Sequence, residues 1–327
     1  MAGVWQKGGR LRTGWARLLF QRCFDNVPYN LGMKTSNFNR PRLLIVGCGD
    51  VGMRLLPLLS RHFRVFATTS QPERRAELRA VGAVPLVVDL DQPATLRRLD
   101  GLAPWVVHLA PPPADGVLDI RTRNLTAVLP AGGRVVYIST TGVYGDCGGA
   151  WFDESRPVAP RNARALRRVD AERTLRRWAR RTGAALSVLR VPGIYGADRL
   201  PLKRLQLGTP ALIEADDVYT NHIHADDLAA IIVHALYRAL PNRTYHAVDD
   251  SDMKMAQYFD AVADAFKLPR PPRLPRAELQ QVVSPALLSF MSESRRLRND
   301  RIKRELGVRL RYPTVAAMLA LPVCKDM

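Results

Sequence analysis

Residues 42–52 read Arg-Leu-Leu-Ile-Val-Gly-Cys-Gly-Asp-Val-Gly, an apolar run that breaks into Gly47-x-Gly49-x-x-Gly52 and continues into the helical pattern Met53–Leu59. Each glycine has a physical reason at this spacing. Gly47 permits a tight turn after a buried strand, Gly49 lets the backbone approach a diphosphate, and Gly52 lets the next helix pack closely on the sheet. The helix that opens with Asp50, Val51 and Gly52 presents free N–H groups and the positive end of its dipole, an anion site. A dinucleotide cofactor is therefore expected at this loop.

The end of the next apolar run, Arg64–Ser70, indicates which dinucleotide. An Asp or Glu about 20 residues beyond the loop would grip the adenosine ribose of NAD. Between Gly52 and Glu73 there is no acid at all. Thr69, Ser70, Arg74 and Arg75 offer hydroxyls and cations suited to a 2′-phosphate, which points to NADP, with NAD the alternative. Arg74 and Arg75 also fit the solvated start of a helix over Pro72–Ala80. A third run, Ala83–Val88, ends in Asp89-Leu90, where the carboxylate is placed to accept from the adenine amino group.

Working outward, Pro93–Leu99 reads as a helix. Trp105–Ala110 reads as a fourth buried strand that stops at Pro111-Pro-Pro, where rigid prolines border the cofactor. A helix around Ile120–Leu129 leads to a fifth strand, Arg134–Ser139. Arg164–Arg181 is a long basic helix, Ala185–Val191 a sixth strand and Asp226–Leu240 another helix. Strands alternating with helices imply right-handed parallel crossovers, hence an α/β fold with a Rossmann-type doubly wound parallel sheet. The organisation expected is a basic extension over 1–40, a cofactor-binding domain over 41–196 and a smaller substrate lobe over 197–327. Residues 219–250 return from that lobe to the main sheet.

Composition narrows the function classes. A chain of 327 residues can bury a full core. No apolar run is long enough to span a bilayer, so a membrane role is not expected. Cys23, Cys48, Cys147 and Cys324 lie far apart, without zinc or disulfide spacing, and suit a reducing cytoplasm. The net charge of +19 would raise nucleic acid as a partner. Yet 42 of the 49 basic residues are Arg and 7 are Lys, a skew typical of a GC-rich coding sequence, and no recognition motif accompanies it. A small-molecule substrate, no specific nucleic acid, and compatibility with a homo-oligomer are the expectations. The Arg-rich, acid-poor leader has the composition of a transit peptide or membrane-surface helix. Met33, nine residues before the first strand, marks the alternative native start, with residues 1–32 an upstream extension.

Four ordered motifs carry a resemblance. Ser139-Thr-Thr-Gly-Val-Tyr-Gly145 is followed by Asp153-Glu154 and Pro157, then by Leu189-Arg-Val-Pro-Gly-Ile-Tyr-Gly196 and Ile223-His-Ala-Asp-Asp-Leu-Ala229. From residue 42 to the end of the Asp226–Leu240 helix the chain resembles the extended short-chain dehydrogenase/reductases, in their NAD-dependent epimerase/dehydratase branch. The resemblance implies a Rossmann domain with a small C-terminal domain, and nucleotide-sugar substrates. It also implies that Thr140 holds the substrate oxygen, with Ser139 and Thr141 as neighbours that can stand in for it; alternatively, all three hydroxyls cap the strand end.

One departure bears on the chemistry. The family carries Tyr-x-x-x-Lys on its next helix, the Tyr as acid/base and the Lys gripping the nicotinamide ribose. Here no tyrosine lies between Gly145 and Ile194 and no lysine between Asp146 and Leu202. Alignment on Ala171-Glu172 puts Arg164 and Arg168 in the two positions. Arg168 can keep the ribose contact, and Arg164 suits an anionic substrate, but a guanidinium cannot shuttle a proton. The chain reads as an atypical member: an oxidoreductase acting on a hydroxylated substrate, or a non-catalytic NADP-binding sensor or scaffold.

Tyr144, Tyr195, His222 and Asp226 are the other proton-exchanging candidates, with Tyr144 joining Thr140 and Ser139 in the expected catalytic set. His222-x-His224-x-Asp226 has the period-2 spacing of a metal face, but it also fits a strand end with an Asp capping the next helix, and no metal is expected. Asn221 suits a hydrogen bond to substrate. Arg295, Arg296 and Arg301 suit a diphosphate clamp or a solvated helix.

Overall fold

Each predicted apolar run becomes a strand of one seven-stranded sheet in the structure, a computed structural model that describes residues 40–321. The basic leader with Met33 and Cys23, and Cys324 at the other end, lie outside the described residues. The strands are β1 (Arg42–Val46), β2 (Arg64–Thr69), β3 (Val84–Val87), β4 (Trp105–His108), β5 (Arg134–Thr140), β6 (Ala185–Val191) and β7 (Arg243–His246). Their order is β7-β6-β5-β4-β1-β2-β3, with every ladder parallel. The order reverses between β1 and β4. Ligands of such sheets sit outside the carboxyl ends at that switch point.

The crossover helices are α1 (Asp50–Leu59), α2 (Arg75–Ala80), α3 (Ile120–Thr126), α4 (Ala163–Thr182) and α5 (Ala225–Arg238). Asn162 caps α4 by accepting from the Ala165 amide, and Gly183 ends it in the left-handed conformation at φ 69°. The buried stripe Ala165, Val169, Ala171, Leu175, Trp178 and Ala179 fixes its seat. Ala171, Leu175, Trp178 and Ala179 join the sheet residues Val135, Tyr137, Leu186 and Val188 in one core cluster. Arg173, Arg177, Arg180 and Arg181 are exposed, the solvated face expected of a basic helix.

A second apolar cluster gathers around α6 (Met255–Ala265), with Leu205, Ala211, Tyr195, Val315 and Met318 packed on Phe259 and Val262. Between the two stretches that feed this lobe, α5 packs on α1 and β7 joins β6 in the main sheet. Among the described residues, no helix is long and apolar enough to cross a membrane.

Candidate active site

The glycine loop is built as its spacing predicts. Gly47 holds φ +79°, and a Cβ there would stand 2.7 Å from the backbone of Ala110, so the end of β4 lies directly under the turn. The Gly47 amide donates to Thr68 Oγ1 at 2.9 Å, which pins the loop to β2. At Gly52 an added Cβ would meet Cys48 Sγ at 2.8 Å. Gly49 is different. Its backbone is extended (φ −87°, ψ −153°), and among the described residues a Cβ would meet no atom within 4 Å. Among the described residues nothing crowds position 49, which leaves an open approach to the end of α1. That end carries no side-chain cap, and the first bond returning to the loop runs from the Met53 amide to the Gly49 carbonyl. The amides of Asp50, Val51 and Gly52 therefore point out of the helix, a cradle that fits a diphosphate.

At the end of β2, Thr69 Oγ1 accepts from the Gln71 amide at 3.1 Å, and Ser70 is exposed. Arg74 Nη1 donates to the Cys48 carbonyl at 2.7 Å, so this guanidinium leans on the glycine loop. It also pairs with Glu77 at 2.8 Å. Glu77 is an acid beyond the stretch that sequence reasoning weighed, and a 2′-phosphate would compete with it for Arg74. Arg74→Ala is expected to lower affinity for NADP about tenfold while leaving NAD within twofold, read by titration of each nucleotide. Asp89 braces its own turn, Oδ1 accepting from the Asp91 amide and Oδ2 from Gln92, and each oxygen keeps a second lone pair as an acceptor. Leu90 is buried, and its carbonyl accepts from Asn124. Arg121 grips Asp91 at 2.6 Å and donates to the Pro111 carbonyl, which stiffens the proline border beyond Ala110.

At the end of β5, Thr140 is half-buried, and its Oγ1 accepts from the Gly142 amide at 3.2 Å. Arg168 lies beneath this turn, with Nη1 donating to the Ile138 carbonyl at 2.9 Å and to the Tyr137 hydroxyl at 3.1 Å. One helical turn earlier, Arg164 stands exposed with its guanidinium 4.2 Å from the centre of the Phe290 ring. Desolvation lowers its pKa from the usual arginine value, Glu293 opposes that shift, and Arg168 and Arg295 add to it. Arg295 Nη1 donates to the Gly145 carbonyl at 2.8 Å and pairs with Glu293. Arg164 thus lies within electrostatic range of both Arg168 and Arg295, beyond the carboxyl end of β5 that carries Thr140.

Other expected residues are occupied elsewhere. Ser139 on β5, Arg190 on β6 and His246 on β7 are neighbours in register, and all three are buried. Arg190 pairs with Glu172 of α4 at 2.7 Å, and Ser139 Oγ donates to the same carboxylate at 2.7 Å. Arg190 Nη1 also donates to the Tyr144 hydroxyl at 2.6 Å, and that hydroxyl lies 2.6 Å from His246 Nε2. His246 Nδ1 faces the Arg298 carbonyl at 2.9 Å, which can only accept. The proton is therefore on Nδ1, and Tyr144 donates to Nε2. Burial pushes the Tyr144 phenol up to about 12 and holds His246 down to about 3. Tyr144 and Ser139 are joined into this core network, and neither hydroxyl faces the cradle as a free group. Tyr195 is 1% exposed in the lobe core, its phenol pushed up by burial and then by Asp249.

The Asn221 amide holds a neighbouring strand, its Nδ2 on the Arg295 carbonyl and its Oδ1 on the Leu297 amide, both at 3.0 Å. Arg296 donates to the Gly149 carbonyl and lies over Tyr219, whereas Arg301 binds the Thr244 carbonyl and Glu154. The three arginines do not form a common clamp. His224, rather than an Asp, caps α5 by accepting from the Asp226 amide. Burial lowers both His222 and His224 to about 4. Among the described residues, no group of three metal-capable side chains is assembled. Sequence reasoning missed the Arg190–Glu172 pair and Arg54, a residue of α1 that binds Asp198 and Asp226.

Known proteins share this fold. The model of the NAD dependent epimerase/dehydratase family matches residues 44–247. A functionally unknown conserved protein from Silicibacter pomeroyi DSS is 31% identical, with a TM-score of 0.72, over 85% of this chain and 96% of its own. UDP-glucose 4-epimerase from Thermotoga maritima, solved with UDP-glucose, has a TM-score of 0.69 at 16% identity, over 85% of this chain and 96% of its own. The dTDP-glucose 4,6-dehydratase of Streptomyces venezuelae, solved with NAD bound, has a TM-score of 0.68 at 21% identity, over 85% of this chain and 94% of its own. No curated protein matches.

Proposed function

Given that the chain belongs to the NAD-dependent epimerase/dehydratase family, we propose that it binds NADP at the Gly47–Gly52 cradle and performs redox or isomerisation chemistry on a hydroxylated, nucleotide-linked substrate in the cytoplasm. The observation that carries this is Gly49, where an added Cβ would meet no described atom within 4 Å, at the uncapped end of α1. A bound nicotinamide supplies hydride transfer. In this reading the amides of Asp50, Val51 and Gly52 hold the diphosphate, and Arg74 with Thr69 and Ser70 receives the 2′-phosphate. Ala110 and Leu90 line the adenosine side, with Asp89 accepting from the adenine. Arg168 uses the N–H groups not bound to β5 to grip the nicotinamide ribose in place of the family's lysine. Thr140 orients the substrate oxygen, and Arg164 and Arg295 bind its anionic part, where Asn221 positions the Arg295 backbone.

A second reading, a cofactor-binding sensor or scaffold without turnover, is favoured by one observation. Arg164 occupies the tyrosine position, and Tyr144 and Tyr195 are each 1% exposed. Incubating the protein with NADP or NADPH and a panel of sugar nucleotides separates the two: consumption of cofactor or formation of a new sugar nucleotide supports the enzyme, and binding without turnover supports the sensor. Arg168→Ala is expected to weaken cofactor binding by about 1.5–3 kcal/mol, the range for a hydrogen bond to a charged group. Unchanged affinity in that variant removes Arg168 from the ribose site.

A further inference from the structure

Asp50 is the first residue of α1, so its carboxylate stands on the same turn as the amides of the diphosphate cradle. Two like charges brought this close repel, and an uncompensated Asp50 would oppose the ligand its helix end attracts. Two guanidiniums meet it. Arg199 Nη1 lies 2.6 Å from Asp50 Oδ2, and Arg54 Nε lies 3.3 Å from the same oxygen. Arg199 comes from the stretch after the Gly193–Tyr195 strand, on the way into the lobe. The same stretch is tied a second time. Arg54 Nη2 reaches both oxygens of Asp198 at 2.9 and 2.7 Å, while Nη1 binds Asp226 at the start of α5 at 2.7 Å. Three carboxylates thus face two guanidiniums, and loss of either cation leaves the cradle mouth with two excess negative charges.

We propose that Arg199, together with Arg54, neutralises Asp50, so that cofactor affinity depends on the docking of residues 196–199 against the first turn of α1. Both arginines are positioning residues in this account, acting through Asp50. The proposal rests on the cofactor reading above and goes beyond it, because it makes a lobe segment part of the control of nucleotide binding. These pairs are partly exposed, so the effect is moderate and salt-sensitive.

The test is a titration of the full chain with NADPH at low and high salt. Arg199→Ala is expected to weaken binding about fivefold at low salt and much less at high salt. Adding Asp50→Asn to that variant restores affinity to within about twofold of wild type, and Arg199→Lys stays close to wild type. A merely structural role for Arg199 would not be rescued by removing the charge on Asp50. Arg199→Ala binding like wild type, or a double variant as weak as the single one, overturns the proposal. Failure of the wild-type chain itself to bind NADPH or NADP overturns the cofactor reading and this proposal with it, and is seen in the wild-type arm alone.

Discussion

Arg190→Met is expected to destabilise the fold by about 3–5 kcal/mol, the cost of leaving a buried carboxylate without its partner. Arg190 and Glu172 have side chains only 7% and 5% exposed. With the guanidinium gone, Glu172 keeps Ser139 Oγ at 2.7 Å and Arg176 at 3.9 Å, and the Tyr144 hydroxyl loses its donor. Denaturant unfolding measures the loss. Replacing both partners, Arg190→Met with Glu172→Met, is expected to recover much of it, since an apolar pair carries no desolvated charge. A loss below about 1 kcal/mol in the single variant would mean that water reaches Glu172.

Gly49→Val is expected to reduce nucleotide affinity by a hundredfold or more, about 2.7 kcal/mol, with the unfolding midpoint unchanged. The two halves of this expectation come from one place: a Cβ at 49 enters space that no atom of the described residues occupies, and the backbone there is already in a region open to any residue. Gly47 and Gly52 offer no such separation. Side chains there strike Ala110 and Cys48, so their substitution perturbs fold and binding together. Nucleotide affinity retained by the valine variant would move the cofactor away from this helix end.

Six of the seven strands were readable from the sequence because they are apolar runs and the crossovers begin or end at Pro, Gly or a cap, whereas β7, Arg-Thr-Tyr-His, carries no such run and was legible only as a return to the sheet. Parallel strands covered on both faces leave that signature. The glycine loop was readable for a similar reason: its chemistry depends on local backbone geometry. The fate of Tyr144 was not. Its hydroxyl is captured by Arg190 and His246, residues far away in the chain that register alone brings beside Ser139. Asn221 misled in the same way, since an amide suited to a ligand is equally suited to the backbone of Leu297. The expected Arg295, Arg296 and Arg301 group was a sequence neighbourhood that the short Arg296–Leu297 strand and the following turn send in different directions. The cap of α5 was also misread, because an imidazole Nδ1 accepts from a helix amide as a carboxylate does.

The return of residues 243–246 to the sheet also sets a timetable for synthesis. β6, Ala-Leu-Ser-Val-Leu-Arg-Val, is buried along nearly its whole length and pairs on one edge with β5, which precedes it in the chain. Its other edge has no partner until β7 is made, after the chain has passed through part of the lobe and all of α5. On the ribosome, a bare apolar edge with unpaired N–H and C=O groups waits through that interval, the kind of surface that invites pairing with another nascent chain. The interval closes when His246 takes its place beside Arg190, and the strand that finishes the sheet also delivers the ring that accepts a hydrogen bond from the Tyr144 hydroxyl.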